Sequence, residues 1–552
     1  MLIKRRTLLA AASLTAAAPR AAWAQSLSSG MFTHGVASGD PLADGVILWT
    51  RFVGGDGRIA WEVAEDEAFA TIAQRGQARA SIANDFCVKV DVRGLTPGRA
   101  YYYRFLSNAG PSWTGKTRTA PASGGESLTV ALFSCANFPF GYFHAYGHAA
   151  TREDIDLVLH AGDYIYEIQR GSYPSAAETV PGRIIDPVNE IVSLSDYYQR
   201  YATYHTDADL LELRRVKPMS VVWDDHEISN DTWREGARDH QPQFEGAFVD
   251  RVAAASKAYF DWMPIRRPAE RGVRIYRSLD WGDLARIVLL DTRLIGRDQQ
   301  IDYRNTLAPQ LAQGGADGAA LAAEFRRTIL DNPNRTMMGP AQEQWFASTL
   351  ADSKQRGQVW QIITQQVVMA DQIAPANMTR LLPPDISAGS RAWFASGEQM
   401  SALGLPWNLD SWNGYPAARA RFLEACTHNA NNAVVLGGDS HNCWVNNLVS
   451  AEGNRLAAVE LAGGSVTSPG FERSLTNATP GERESMMRSS NPQLAFCDLT
   501  NRGYATLKFT RTACEAEWIA FSDIRSPEAG VPAITRMTST PSATAGPGAW
   551  AL

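Results

Sequence analysis

Four short segments concentrate residue types that bind metal ions: Ser134-Cys135-Ala136-Asn137, Gly162-Asp163-Tyr164-Ile165-Tyr166-Glu167, Asp224-Asp225-His226-Glu227 and Gly438-Asp439-Ser440-His441. They offer a thiolate, carboxylates, a phenolate and imidazoles, a donor set that suits a trivalent iron beside a divalent ion. Asp291-Thr292-Arg293 and Gln365-Gln366 are further polar segments of the same placement. Two ions in one site neutralise the oxygens of an anionic ester and lower the pKa of a water, so the chemistry implied is hydrolysis by a metal-activated hydroxide. No GxSxG elbow and no P-loop occurs in the chain, which sets aside a serine hydrolase and a nucleotide cradle.

Each of these segments follows an apolar run long enough for one buried strand: LTVALF, IDLVLH, SVVW, ARIVLL, WQIIT and NAVVLG. Helical patterns lie between them, at 142–151, 193–214, 248–263, 342–354 and 416–428. Alternating strands and helices imply an α/β fold, and in a mostly parallel sheet all these segments fall at the carboxyl edge, where ligands bind. Ahead of this region, GVILWTRF, RIAWEVAED, FCVKVDVRGL and RAYYYRFLS alternate apolar and polar residues between turn signals, the pattern of a small antiparallel sandwich. LTPGRAYYYRF looks like part of a fibronectin type III or immunoglobulin-like module, and Ser123, Gly124 and Gly125 read as a linker.

The first residues, MLIKRRTLLAAASLTAAAPRAAWAQ, combine a basic start, an apolar stretch from Leu8 to Ala18 and Ala22-Trp23-Ala24 as a small-x-small cleavage site. This is an export signal, and Arg5-Arg6-Thr7-Leu8-Leu9 resembles the twin-arginine type, whose machinery carries folded proteins. The alternative is an ordinary secretory signal with two arginines. The expected organisation is a signal at 1–24, a sandwich at 25–122, a catalytic domain at 126–525 and a tail at 526–552. Residues 299–335 read as a polar, glycine-bearing insertion. No segment has the apolar length of a membrane span, so the mature protein is expected to be soluble and exported, to the periplasm or the exterior.

Among 552 residues, 45% are hydrophobic and 20% charged, the composition of a folded protein rather than a disordered or fibrous one. Lys plus Arg number 52 against 58 Asp plus Glu, a net charge of −6, so no basic field exists to gather nucleic acid. Removal of residues 1–24 takes away four basic residues and no acidic one, which makes the balance more negative. Six cysteines, at 87, 135, 426, 443, 497 and 514, are irregularly spaced without a CxxC pair. That spacing argues against a disulfide framework, leaving open one bridge such as Cys497 with Cys514.

SCAN, HAGDYIYE, WDDHE and GGDSHN, preceded by GVASGDPLADGVILWTR and followed by NPQLAFCDLTNRGY, resemble the motifs of the PhoD-type alkaline phosphatases and phosphodiesterases, over nearly the whole mature chain. The resemblance implies a calcineurin-like metallophosphoesterase core with layered β-sheets, related to that of purple acid phosphatases, with Fe(III) and Ca(II) as the metals. It further implies Asp163 bridging two ions, with Cys135, Tyr166 and His441 as iron ligands. Asp439 and Asp225 would serve the second ion, and Gln365 or Gln366 would supply a neutral oxygen that favours calcium. His226 would assist the leaving group, and Arg502 and Asn137 would contact the phosphate. Asn491-Pro492-Gln493, where members often read NPH, departs from the pattern.

Each assignment has a structural alternative. Cys135 could also be a buried thiol, Tyr166 a core tyrosine, Asp225 the cap of a helix starting near Ile228, His441 a packing histidine and Arg502 a surface ion pair. His144, His148, His205, His240 and His428 lack acidic or strand-end neighbours and read as surface or packing residues. Two functions compete with hydrolysis of phosphomonoesters or phosphodiesters in general: a phospholipase D-like phosphodiesterase, and a phosphate-binding protein with a degenerate site.

Overall fold

The computed structural model describes residues 30–268, 272–314, 317–450, 455–542 and 546–552. The export signal expected at 1–24 lies outside the described residues.

Two large sheets face each other. The apolar runs of the sequence supply their central strands: Ser127–Phe133, Leu157–His160 and Pro218–Val221 run parallel in a nine-stranded sheet, and Ala285–Leu289, Trp360–Thr364, Ala433–Gly437 and Leu456–Gly463 run parallel in a seven-stranded one. Side chains in the second sheet alternate with period two. Ile287, Leu289, Ile362, Val434 and Leu436 point into the core shared with the first sheet. Val288, Leu290, Ile363 and Val435 point to the other side, where Phe346, Leu350, Phe422 and Leu423 of helices Gly339–Gln355 and Pro416–Asn429 cover them. Both faces are buried, which is why these strands are continuous apolar runs in the sequence.

The N-terminal strands form two layers. Gly57–Ala64, Ile72–Ala80 and Ala100–Ser107 belong to a five-stranded sheet packed through Ile59, Val63, Tyr101, Tyr103 and Phe105 onto Val36, Val46, Leu48, Val88 and Val92. The opposing layer is the end of the nine-stranded sheet itself: Phe32–Leu42 pairs in parallel with Pro218–Val221 through Ser38 with Pro218 and Gly39 with Met219, and then carries Gly45–Phe52 and Cys87–Arg93. The span read as a sandwich at 25–122 is therefore joined to the catalytic region by a shared sheet. Asp40 fixes the seam, accepting from Ser220 at 2.9 Å and pairing with Arg277 at 2.8 Å.

The structure departs from the sequence reading at several elements. The pattern at 193–214 is two helices, Leu194–Tyr204 and Ala208–Val216, because Asp207 caps the second by accepting from the Leu210 amide. Residues 299–335 contain helices Ala308–Gln313 and Gly318–Phe325. Within the span read as a tail, Ala533–Ser539 is an edge strand of the nine-stranded sheet and Trp550 is buried. Cys497 and Cys514 are separate buried thiols, not a bridge.

Candidate metal centre

The strand ends interlock before any side chain is considered. Beyond Phe133 and His160 the chain continues to pair, with the Cys135 amide donating to the Gly162 carbonyl at 3.2 Å and the Ala136 amide to the Asp163 carbonyl at 2.9 Å. Gly162 has φ +104, and a Cβ there would stand 2.4 Å from the Asp224 amide nitrogen, so glycine is what lets the second and third strand ends approach. Glu227 ties them together: its Oε2 accepts from the amides of Asp163 at 3.1 Å and Asp224 at 2.7 Å, and its Oε1 from Tyr164 at 2.5 Å.

Three overlapping groups result, in each of which the donor atoms lie within 4.8 Å of one another: Cys135 with Asp163 and His441, Asp163 with Asp225 and His226, and Asp224 with Asp225 and Asp439. Tyr166 joins the first, its hydroxyl 3.0 Å from Asp163 Oδ2, 3.3 Å from His441 Nε2 and 2.6 Å from Ser468 Oγ. Cys135, Asp163, Asp439 and His441 all have left-handed φ, between 55 and 62°. Side-chain-bearing residues adopt that region at a cost, and such strain gathers at functional sites.

The charges do not balance with protein groups alone. Burial raises the Asp163 carboxyl well above its usual range, with Asp225, Glu227 and Asp439 adding to the effect against His226. Burial and then Asp163 push the Cys135 thiol and the Tyr166 phenol up as well. Asp439 is raised to about 6 by burial, in spite of Arg293, and burial lowers His441 to about 3, leaving the neutral imidazole that can act as a ligand. Asp163 Oδ1 is buried without a hydrogen-bond partner. A partnerless carboxylate oxygen among a thiol, a phenol and a neutral imidazole fits a bound cation, which would bring the raised carboxyl, thiol and phenol pKa values down and keep the imidazole neutral.

Arg502 is not free to clamp a phosphate. It is buried, donates to the backbone carbonyls of His441, Ser468 and Thr500, and pairs with Glu472. It braces the loop that carries His441. The Gln365 carboxamide is likewise committed, its oxygen accepting from Val367 N and Trp412 Nε1, each at 3.1 Å, and its nitrogen donating to the Val367 carbonyl. Gln366 links Thr292 to Trp223 and Leu290. Both carboxamides are thus hydrogen-bonded within the protein. Asn137 is fully buried beside Cys135 with its Oδ1 lacking a partner. Asp225 caps no helix: a turn follows, and its oxygens accept from the amides of His226 at 3.0 Å and Asp231 at 2.6 Å.

Three residues without a role in the sequence reading prove central. Glu167 Oε2 lies 2.6 Å from His226 Nδ1, and burial, which opposes charge on that imidazole, is outweighed by Glu167, Asp163 and Asp225, so the His226 pKa rises well above its usual value. Glu227 ties the strand ends as described. Arg293 is fully buried between the carboxylates of Asp224, Asp410 and Asp439. The signal available for Arg293 was its place after an apolar run, two residues from Asp291. Of the histidines read as packing residues, His144, His205 and His240 are buried.

Residues 130–518 match the PhoD-like phosphatase family, and residues 16–121 match the N-terminal domain of PhoD-like phosphatases. The chain is 34% identical over 527 residues to alkaline phosphatase D of Bacillus subtilis strain 168, covering 92% of this chain and 80% of that protein. A solved structure of PhoD superposes with a TM-score of 0.75 at 32% identity, covering 94% of this chain and 92% of the other. With the catalytic span, the N-terminal span and the whole-chain superposition in agreement, this chain belongs to the PhoD-like phosphatase family.

Proposed function

We propose that this phosphate-ester hydrolase works at a two-metal centre in which Cys135, Asp163, Tyr166 and His441 hold Fe(III), and Asp163, Asp225 and Asp439 hold Ca(II). The observation that carries the reading is the partnerless Asp163 Oδ1, on a carboxylate that groups with donors from three separate strand ends. When bound, the ions supply positive charge against the ester oxygens and a water of lowered pKa.

The protein's own residues do the rest. His226, oriented through Nδ1 by Glu167, holds a proton that its Nε2 delivers to the departing alkoxide. Asn137 offers its amide to the ester. Glu227 keeps Asp163 and Asp224 in register, and Arg502 keeps His441 in place. Because the protein is negatively charged overall, the anionic ester is drawn by local charge at the centre rather than by the whole surface.

Residues 1–24 are proposed as a twin-arginine signal that delivers the enzyme to the periplasm or beyond. Among the described residues no helix is long and apolar enough to cross a membrane. Elemental analysis of purified enzyme, with parallel monoester and diester assays, tests the reading: iron and a divalent ion at one each per chain are expected. Asp163→Ala should abolish turnover of a chromogenic phosphate ester, and a residual rate above about a tenth would be incompatible with a bridging ligand. Faster turnover of a phospholipid diester than of any monoester would move the assignment to a phospholipase D-like enzyme.

A further inference from the structure

The segment from Pro469 to Ser474 runs from the centre into an aromatic cluster. His441 Nδ1 donates to the Pro469 carbonyl at 3.0 Å, the Phe471 amide donates to Asn442 Oδ1 at 3.1 Å, and Glu472 pairs with Arg502. Gly470 is the point of closest approach: a Cβ there would stand 2.3 Å from Asn442 Oδ1 and 3.0 Å from the Arg502 guanidinium. The Phe471 ring then stacks on Trp407 with centroids 5.3 Å apart and meets Trp444 edge-on at 6.2 Å. Trp444 Nε1 donates to Ser440 Oγ at 2.6 Å, and Trp407 lies close in sequence to Asp410, which pairs with Arg293. The cluster is thus tied by three separate links to the residues that gather at the centre.

Helix Ala388–Ala402 forms the opposite wall. Its Trp393 lies 4.6 Å from Trp407 and 6.4 Å from Phe471, yet is 47% exposed, a large ring left partly open beside two that are packed. Gly389, Ser390, Trp393 and Phe394 of the helix, with Phe471 and Ser474 of the segment, line a groove of about 330 Å³. That volume suits one small molecule rather than a folded partner. None of the six lining residues is charged, so the groove fits a neutral group, and its rings favour another flat ring. Phe471 follows Pro469 by two residues, a span of at most about 7 Å, which puts the groove wall within reach of an ester held at the centre.

We propose that this groove is a subsite for an aromatic organic group of the phosphate ester, with Trp393 and Phe471 as specificity-determining residues that stack on its ring. An ester has an anionic end and an organic end; the centre accounts for the first, and the uncharged groove beside it for the second. The inference rests on the reading of the centre as the hydrolytic site and deepens it by naming a substrate class. Its test is the kcat/KM for 2-naphthyl phosphate divided by that for glycerol 2-phosphate, which has no ring. A general loss of activity cancels in this ratio, whereas loss of a stacking partner does not.

Trp393→Ala, which removes the open ring, and Ser474→Phe, which fills the groove, are each expected to lower the ratio about tenfold. Trp393→Phe keeps a ring and should stay within about threefold of wild type. A fall of less than threefold in Trp393→Ala overturns the proposal, as does an equal loss on both esters. A change of oligomeric state in Trp393→Ala with the ratio unchanged also overturns it, and gives the groove to a second copy of the chain. If Trp393→Ala fails to fold, Ser474→Phe is judged by the same ratio. If neither folds, competitive inhibition of 2-naphthyl phosphate hydrolysis by 2-naphthol on wild type decides, and its absence overturns the subsite. Wild type inert toward both esters would sink the hydrolytic reading of the centre instead. The groove would then be judged by saturation-transfer NMR with 2-naphthol, where equal signals from wild type and Trp393→Ala overturn it.

Discussion

His226 Nδ1 lies 2.6 Å from Glu167 Oε2, and Glu167 Oε1 accepts from the Asn230 amide at 2.6 Å. The glutamate thus commits one nitrogen of the imidazole, and in the proposed mechanism the other would face the ester. Glu167→Gln should lower kcat about 10- to 100-fold with little change in KM, the usual cost of removing a carboxylate that orients a working histidine. His226→Ala should cost about 10²–10⁴-fold. Steady-state assays with a chromogenic phosphate ester check both, and a Glu167→Gln enzyme within twofold of wild type would remove Glu167 from the mechanism.

Arg502 behaves as a brace in this structure, so its loss should act on stability before it acts on binding. Arg502→Met removes the cation beside Glu472, whose side chain is 27% exposed, and three hydrogen bonds to backbone carbonyls, so the cost falls below the roughly 3–5 kcal/mol of a fully buried pair. The expected outcome is a clearly lower Tm with KM within about twofold for the folded fraction. An unchanged Tm with a tenfold higher KM would restore Arg502 to the substrate.

Tyr166 gives an optical test of the iron assignment. Iron(III) held by a phenolate and a thiolate would give the purified enzyme a visible colour. Tyr166→Phe keeps the ring and removes the oxygen, so the phenolate band should vanish while iron stays bound. Absorption spectra with elemental analysis on the same sample decide it, and an unaltered band in the variant would exclude Tyr166 as a ligand.

Lys89 supplies a pH test remote from the metal centre. Burial lowers its pKa from 10.5 to about 8, with Asp261 opposing. Between those values the unfolded chain binds a proton that the folded one has released, so this group makes stability rise with pH from about 8 to 10.5. Lys89→Met has no such proton. Its Tm should gain on wild type below pH 8, and the gain should shrink toward pH 10.5; a difference independent of pH would refute the assignment.

The residues that gather at the centre were legible in the sequence because the inner strands are apolar on both faces, so that a cysteine, aspartate or histidine at the end of each run stands out. The partners of the neighbouring side chains were not legible. Arg502 meets Glu472 across 30 positions, and Gln365 meets Trp412 across 47, distances at which sequence pattern carries no register. Gln365 ends an apolar run, as the segment carrying Asp163 follows one, and the family resemblance implied a neutral oxygen ligand at that place. The strand Phe32–Leu42 was hidden for another reason: Gly35, Gly39, Asp40 and Pro41 break its alternation. A Cβ at Gly39 would stand 2.3 Å from the Met219 carbonyl, so the residue that weakens the strand signal is the one that allows the neighbouring strand to approach.

That pairing bears on the order of assembly. Asp40 meets Ser220 across 180 positions, so a strand made near the start of translation waits with an open edge until much of the protein has left the ribosome. Long-range parallel pairing of this kind is slow, and unpaired edges invite association with other chains. A nascent chain arrested before Val221 cannot close the seam, and an export route that threaded it through unfolded would require the seam to form anew on the far side. Carriage of a finished fold would avoid that second search.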